Sequence, residues 1–471
     1  MSRSKSLLRY GGFLFSVGSA RVAGTLLSAL TFPYLVRRLG VGLFGLWSYV
    51  VACCSFAASV ANPGLHAYAA QQLASRRKEA FGLIPDIVAL RILATLVAIV
   101  LLLGFSFFEK NALVRNLLRF YGCGVLIVGL TSCDHLLAAL EMFHVRSALS
   151  VIQQTLYAIG VFLLVRGRQD IAWLAISILV SALLSNIAGW TFLWKQDLKL
   201  SWNVHVSRWW RIMVPSGHYA TSALMSNLYH RSGHLLVRWF LGAQALGLYS
   251  AAVRFLETIQ QFSALVLSVA MPRLAAAANS PAQFARIARF GLTLIAVVNL
   301  PLALGLFSTA HLIVPWVLGS QYLKDVPLLI WMSPYLMVAP ASSLLTGTIL
   351  YAMGRHRAYL ASTASGAVAG VILYLTLIPL FGLKGAAIAF VIGQCCVAVT
   401  AYILLPRDLH SLWRNPNLGV AALSSLVMVI IVRIVNTRTS RPAIVLASGA
   451  LAYASICFWP MKNWLMREFK S

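Results

Sequence analysis

Acidic residues are scarce in this chain. Asp and Glu together occupy 11 of 471 positions, and the four charged residue types make up only 10%. A soluble domain carries about 25% charge, so the sequence lacks the polar surface that a water-soluble fold needs. Paired cysteines are missing too. The seven present, Cys53, Cys54, Cys123, Cys133, Cys395, Cys396 and Cys457, form no CxxC, lie in apolar stretches and read as small buried hydrophobes. No GxxxxGK[ST] occurs, which argues against a P-loop and energy from bound ATP. His230 and His234 stand four apart, but Arg231 occupies the place where a zinc protease helix needs Glu. No Cys or carboxylate cluster surrounds the ten histidines, so neither a metal nor another cofactor is expected.

What the chain does have is apolar length. Hydrophobic residues make up 60% of it, and the mean hydropathy is +0.82. Each membrane-spanning helix needs roughly 20 mostly apolar residues, so the composition predicts an all-α polytopic membrane protein with about 14 spans and no large catalytic head. Apolar windows place the spans near 11–35, 43–65, 81–107, 120–140, 147–165, 171–194, 212–230, 245–270, 290–311, 326–350, 358–380, 385–405, 417–432 and 442–461. The segment from Arg3 to Ala20 has the basic start and small-residue end of a signal peptide, but the apolar run continues past Arg21 and reads as an uncleaved first span.

Lys and Arg total 38, for a net charge of +27. In a soluble protein that would suggest nucleic acid; here it reads first as the cationic bias of cytoplasmic loops, and no nucleic-acid partner is expected. The side carrying the termini holds 21 of these residues and the opposite loops 14. That bias places both termini in the cytoplasm. A polar connection from Lys195 to Arg211 joins the sixth and seventh spans on the same side.

A motif recurs. Leu39-Gly40, four residues, then Gly45-Leu46-Trp47-Ser48 matches Leu241-Gly242, four residues, then Gly247-Leu248-Tyr249-Ser250, an offset of 202. The pattern LG-x4-GL-[WY]-S thus returns after six spans, so both copies enter the membrane from the same side. Parallel repeats of this kind occur in transporters that rock one half against the other. The predicted organisation is two six-helix bundles related by pseudo-twofold symmetry, 1–198 and 199–406, followed by two further helices and a cytoplasmic tail in 407–471. Gly366 and Gly370 form a GxxxG in the eleventh span and are assigned to helix packing.

Three arginines, Arg21, Arg91 and Arg254, fall inside spans. An ionised side chain near the bilayer centre costs about 2.5–3.5 kcal/mol on insertion scales, so each needs a reason. Facing a wet cavity, their planar guanidiniums would hold phosphate oxygens through paired hydrogen bonds. The alternative is local neutralisation: Asp86 lies five residues before Arg91, and Glu257 three after Arg254. Arg21 has no acid near it in sequence. Arg37 and Arg38 flank the outer mouth, where they are either phosphate-attracting or simply solvated. Asp86, Asp134 and Glu257 are candidates for coupling transport to H+ or Na+, with salt bridging as the competing role.

Several stretches resemble a known family. Thr31–Tyr49, TFPYLVRRLGVGLFGLWSY, resembles the first-loop signature of the Wzx polysaccharide flippases of the multidrug/oligosaccharidyl-lipid/polysaccharide exporter (MOP) superfamily. Phe240–Glu257, Leu350–Arg357 and Ile378–Ala389 are similar to later motifs of that family, in family order. The resemblance implies a V-shaped bundle with a cationic cavity that moves an undecaprenyl-diphosphate-linked oligosaccharide, the repeat unit of an O-antigen, capsule or exopolysaccharide, across the bacterial inner membrane. It implies membrane lipids as surroundings, a polysaccharide polymerase and a chain-length regulator as partners, and no enzymatic step. By the same resemblance Arg37 matches the arginine of the first loop and Arg254 the basic residue after the YSAA stretch. Gly233 and His234 depart from an Asp-Arg pair that related proteins tend to carry.

Three rivals remain at this level. A lipid II flippase or a multidrug exporter of the same superfamily would share the architecture, although cationic drugs call for cavity carboxylates. A membrane glycan polymerase or glycosyltransferase generally needs a large outer loop or acids in the first one, whereas the first outer loop here offers Arg37 and Arg38.

Overall fold

The computed structural model describes residues 2–66, 68–69, 82–140, 142–195, 203–276, 281–406, 408–410, 415–439 and 441–470. Among these residues there is no strand. The helices are α1 (Ser2–Ala61), α2 (Ile84–Phe108), α3 (Ala112–Leu130), α4 (Asp134–Ala139), α5 (Phe143–Leu164), α6 (Ile171–Trp194), α7 (Trp209–Ala276), α8 (Pro281–Val317), α9 (Val326–Met332), α10 (Tyr335–Leu350), α11 (His356–Ile403), α12 (Pro416–Arg438) and α13 (Pro442–Lys470).

Three of these helices are too long for one crossing. The apolar parts of α1, α7 and α11 run for 40, 43 and 48 residues, about 60–72 Å at 1.5 Å per residue against a hydrocarbon core of about 30 Å. Each is interrupted at one glycine: Gly40 (φ 73, ψ 170), Gly242 (φ 87, ψ −175) and Gly382 (φ 58, ψ −134). Backbone of this kind is essentially reserved for glycine, because a Cβ would clash. Each long helix is therefore two legs meeting at a single residue. Nine helices among the described residues are long and apolar enough to cross a membrane. Dividing three of them at their glycines, and adding the pair α9–α10 bent by 52° and the apolar stretch Pro442–Cys457, gives the fourteen segments expected.

The chain separates into two compact units, Met1–Leu235 and Leu236–Ser471. In the first, α1 packs on α2 and α5, α5 on α6, and α3 on α2. In the second, α8 packs on α10 and α12, α12 on α13, and α11 on α9 and α10. Leu30, Leu96, Val100, Leu163, Leu423 and Leu451 are exposed. Apolar residues turned outward on apolar helices suit a lipid solvent. Gly366 and Gly370 are buried within α11, but a Cβ on Gly370 would meet open space, so among the described residues no close helix approach is seen at that position. Cys53, Cys54, Cys133 and Cys457 are buried thiols.

One span differs from its predicted position. The fourth was expected at 120–140, but α3 begins at Ala112, where the Asn111 side chain accepts from the Val114 amide at 3.2 Å, and it ends at Leu130. Arg119 falls inside this helix. It is accommodated because its Nε donates to Ser106 Oγ at 3.1 Å and its guanidinium lies 4.8 Å from the Phe107 ring centroid. A π-helical turn, Leu118–Gly122, spans the same place.

Candidate functional site

The two copies of the repeated motif have the same local form. Gly40 and Gly242 break their helices with matching dihedrals, and the aromatic seven residues on is buried in both. Trp47 lies 4.7 Å from the Tyr121 ring in the first unit. In the second, the Tyr249 hydroxyl is 2.9 Å from that of Tyr374, and its ring stands edge-on to Phe390.

Arg254 lies twelve residues beyond Gly242 on the second leg of α7. At 1.5 Å per residue that is about 18 Å along the leg, inside the eighth predicted span. Its side chain is 47% exposed and touches Glu257, itself 24% exposed, at 3.4 Å, one helical turn on. A single long contact leaves most of the five guanidinium N–H donors available for an oxyanion. The sequence left ion pair and ligand site open at this position, and the geometry is compatible with both at once.

Arg91 is placed differently. It is 3% exposed, and its Nη2 donates to the Gly129 carbonyl at 2.8 Å. That carbonyl belongs to the last turn of α3, where a cation is favoured by the helix dipole and by unsatisfied carbonyls. Asp86, fully buried in the first turn of α2, does not pair with Arg91. Its Oδ1 accepts from the backbone N–H of His205 at 2.6 Å, and its Oδ2 stands 4.0 Å from Arg208 Nη1.

Asp134 pairs with Arg146 at 3.3 Å, with both side chains about half exposed. Such a solvated pair contributes little to stability. Arg37 and Arg38, at the end of the first leg of α1, are exposed, and the Arg38 guanidinium lies 5.3 Å from the Tyr34 ring centroid. The side chain of Arg21 lies outside the described residues. Among the described side chains, the cations nominated from sequence therefore sit in separate surroundings: Arg91 inside the first unit, Arg254 on the second, Arg37 at a helix break.

Two buried titratable groups escaped sequence reasoning. His66, just after α1, is held down to about 3 by burial, with the Arg91 and Arg146 guanidiniums as lesser causes, and is neutral at physiological pH. Asp325 ends the short turn before α9. It is fully buried, and neither carboxyl oxygen has a hydrogen-bond partner. Lys324 before it and Pro327 two residues after it read as a loop, so no signal marked it.

Residues 14–277, more than half of the chain, match the family described as polysaccharide biosynthesis protein. No curated protein is similar to the chain by sequence. The lipid II flippase MurJ in an inward closed conformation is similar in fold, with a TM-score of 0.75 over 96% of this chain and 100% of that one at 15% identity. An inward-facing multidrug resistance MATE family transporter of the MOP superfamily has a TM-score of 0.59 at 15% identity, covering 85% and 96% of the two chains. A MOP superfamily transporter from Pyrococcus furiosus reaches 0.61 at 12% identity over the same shares. At such identities the likeness establishes the fold, and that fold is the one implied by the resemblance to Wzx flippases. With arginines set in and beside spans, legs that meet at single glycines and a family match running from the first span through α7, the chain belongs to the polysaccharide biosynthesis protein family of membrane proteins.

Proposed function

We propose that the protein is a flippase that carries an undecaprenyl-diphosphate-linked oligosaccharide across the bacterial inner membrane by alternating access, with both termini in the cytoplasm. The observation that carries this reading is Arg254: a half-exposed guanidinium within a span, with a single weak partner among the described residues. In lipid such a group is strongly disfavoured. In a wet cavity it replaces headgroup hydration by binding diphosphate oxygens. Arg37 receives the headgroup at the outer mouth and Arg21 adds to the cationic lining, whereas Arg91, buried on the Gly129 carbonyl, holds the end of α3. Glu257 keeps Arg254 oriented between loads, and Asp86, Asp134 and Glu257 remain the candidates for ion coupling. Two bundles, 1–198 and 199–406, move relative to one another, with 407–471 as an appendix. No covalent step is involved. The polymerase and chain-length regulator act on the delivered repeat units.

A strain lacking the protein should accumulate lipid-linked oligosaccharide in the inner leaflet and lose surface glycan. Unchanged surface glycan would overturn the reading. The fold likeness to MurJ favours one rival, lipid II flipping, and rescue of cells depleted of their peptidoglycan flippase would select it instead.

A further inference from the structure

The carboxylate of Asp86 is occupied by the chain itself, and what it holds is the segment leading into α7. The His205 amide and Arg208 both belong to that segment, three residues apart, on a short turn that ends where α7 begins. The same end of the first unit contains an apolar cluster drawn from three elements. Leu65, Tyr68 and Ala69 follow α1, Ile87 and Leu90 lie on α2, and Ile212 is in the first turn of α7. Gly64 brings the backbone after α1 against α7. At φ +73, a Cβ on Gly64 would fall 2.6 Å from the Ala220 amide nitrogen and closer still to the Ser216 carbonyl. Farther along, the Asn227 amide donates to Ser59 on α1.

These contacts are of two opposed kinds. The apolar cluster and the close Gly64 approach favour the docked position, because separating them exposes hydrophobic surface. Asp86 is only half satisfied there. Its Oδ2 has no hydrogen bond, and its ion pair is long and shared with a half-exposed arginine. A buried carboxylate so placed regains hydration when the segment lifts away. Opposed terms of this kind make a contact that can open and close rather than a fixed piece of core.

We propose that Asp86, Gly64 and the Ile212 cluster form a releasable latch that docks the start of α7 onto the first unit in one transport state and frees it in the other. Asp86 and Gly64 are then positioning residues for the transport cycle, with Asp86 as the anchor of the segment. α7 continues past Leu235 into the second unit, so its first turn is the part of the connection whose docking the first unit controls. The latch rests on the flippase reading for its purpose, and on the orientation proposed above for its cytoplasmic location. Its operation is measurable without any substrate.

The test uses the full-length protein in inverted and right-side-out membrane vesicles, with Ile212→Cys labelled by a membrane-impermeant maleimide and the peptide bearing residue 212 quantified by mass spectrometry. Labelling is expected at a slow, measurable rate from the cytoplasmic side only. Asp86→Ala and Gly64→Ala should each raise that rate about tenfold, and Asp86→Asn, which keeps an acceptor for the His205 amide, should raise it less. A disulfide between Ser59→Cys and Asn227→Cys should suppress labelling, and reduction should restore it. Should Ile212→Cys disturb folding, hydrogen exchange at residues 203–208 in the otherwise native chain replaces it, with the same ordering of variants. A rate indifferent to Asp86→Ala, Gly64→Ala and the cross-link would overturn the latch. Failure of the flippase reading would show instead as normal glycan export in the deletion strain with the latch behaviour intact.

Discussion

The two units repeat one backbone device and fill it with different chemistry. Gly40 and Gly242 break their helices alike, and Trp47 and Tyr249 occupy equivalent buried places. Carrying the offset of 202 farther along, Arg254 corresponds to Ala52 and Glu257 to Ser55. Ala52 is fully buried, and Ser55 returns its hydroxyl to the Val51 carbonyl at 2.8 Å. The first unit instead keeps its membrane-depth cation on a backbone carbonyl and its carboxylate on the α7 lead-in. A repeated scaffold has thus been used twice, once with its charges turned inward and once with a charge left open. The difference assigns anchoring to the first unit and, on the reading proposed above, cargo to the second.

The sharpest way to break that contrast is to move the charge. Ala52→Arg would set a guanidinium into a fully buried position of the first unit, and its level in the membrane should fall roughly tenfold or more, since an unsatisfied cation at that depth costs several kcal/mol; quantitative immunoblotting reads this. Removing the charge where it belongs is next. Arg254→Ala should leave protein levels normal and cut surface glycan by about tenfold or more, in line with about 1.5–3 kcal/mol for hydrogen bonds to a charged group, with Arg254→Lys intermediate. Normal export by the Ala variant would remove Arg254 from the site.

The shared backbone is tested by Gly40→Ala and Gly242→Ala. Each forces a side chain into a region nearly exclusive to glycine, and each should destabilise by about 1–3 kcal/mol, by similar amounts if the two copies are structurally equivalent. Thermal melts in detergent would show it. A pH effect is expected in the first unit. Burial holds His66 down to about 3, whereas an unfolded histidine takes up a proton near 6.5. Its contribution to stability is present above that value and is lost as the pH falls from 6.5 toward 3. Between pH 7 and pH 5 the loss should be about 1–2 kcal/mol, and His66→Gln should flatten the dependence. The smallest effect lies in the second unit. Asp325→Asn removes a buried carboxyl that has no hydrogen-bond partner and should raise the melting temperature by about 2–4 °C.

Much of the fold is legible in the sequence because hydropathy acts locally. Fourteen apolar windows correspond to fourteen helical legs, and the repeated motif falls at the glycines where α1 and α7 divide. The fourth span lies earlier than expected and contains Arg119, whose partners, Ser106 and Phe107, lie on another helix. The charged residues stand out in the sequence, but their surroundings are not readable from it. Gly129 is 38 residues from Arg91 and His205 is 119 from Asp86, and nothing in local composition joins such pairs. Asp325 went unnoticed for the complementary reason: its burial comes from packing against α8, while its sequence neighbours are those of a turn.

Legs joined at a lone glycine leave almost no loop to be threaded through the translocation machinery. The same economy removes handles: a tag or protease site inserted at Gly40, Gly242 or Gly382 would replace the whole connection between two legs, so topology mapping at these three positions calls for single-residue probes.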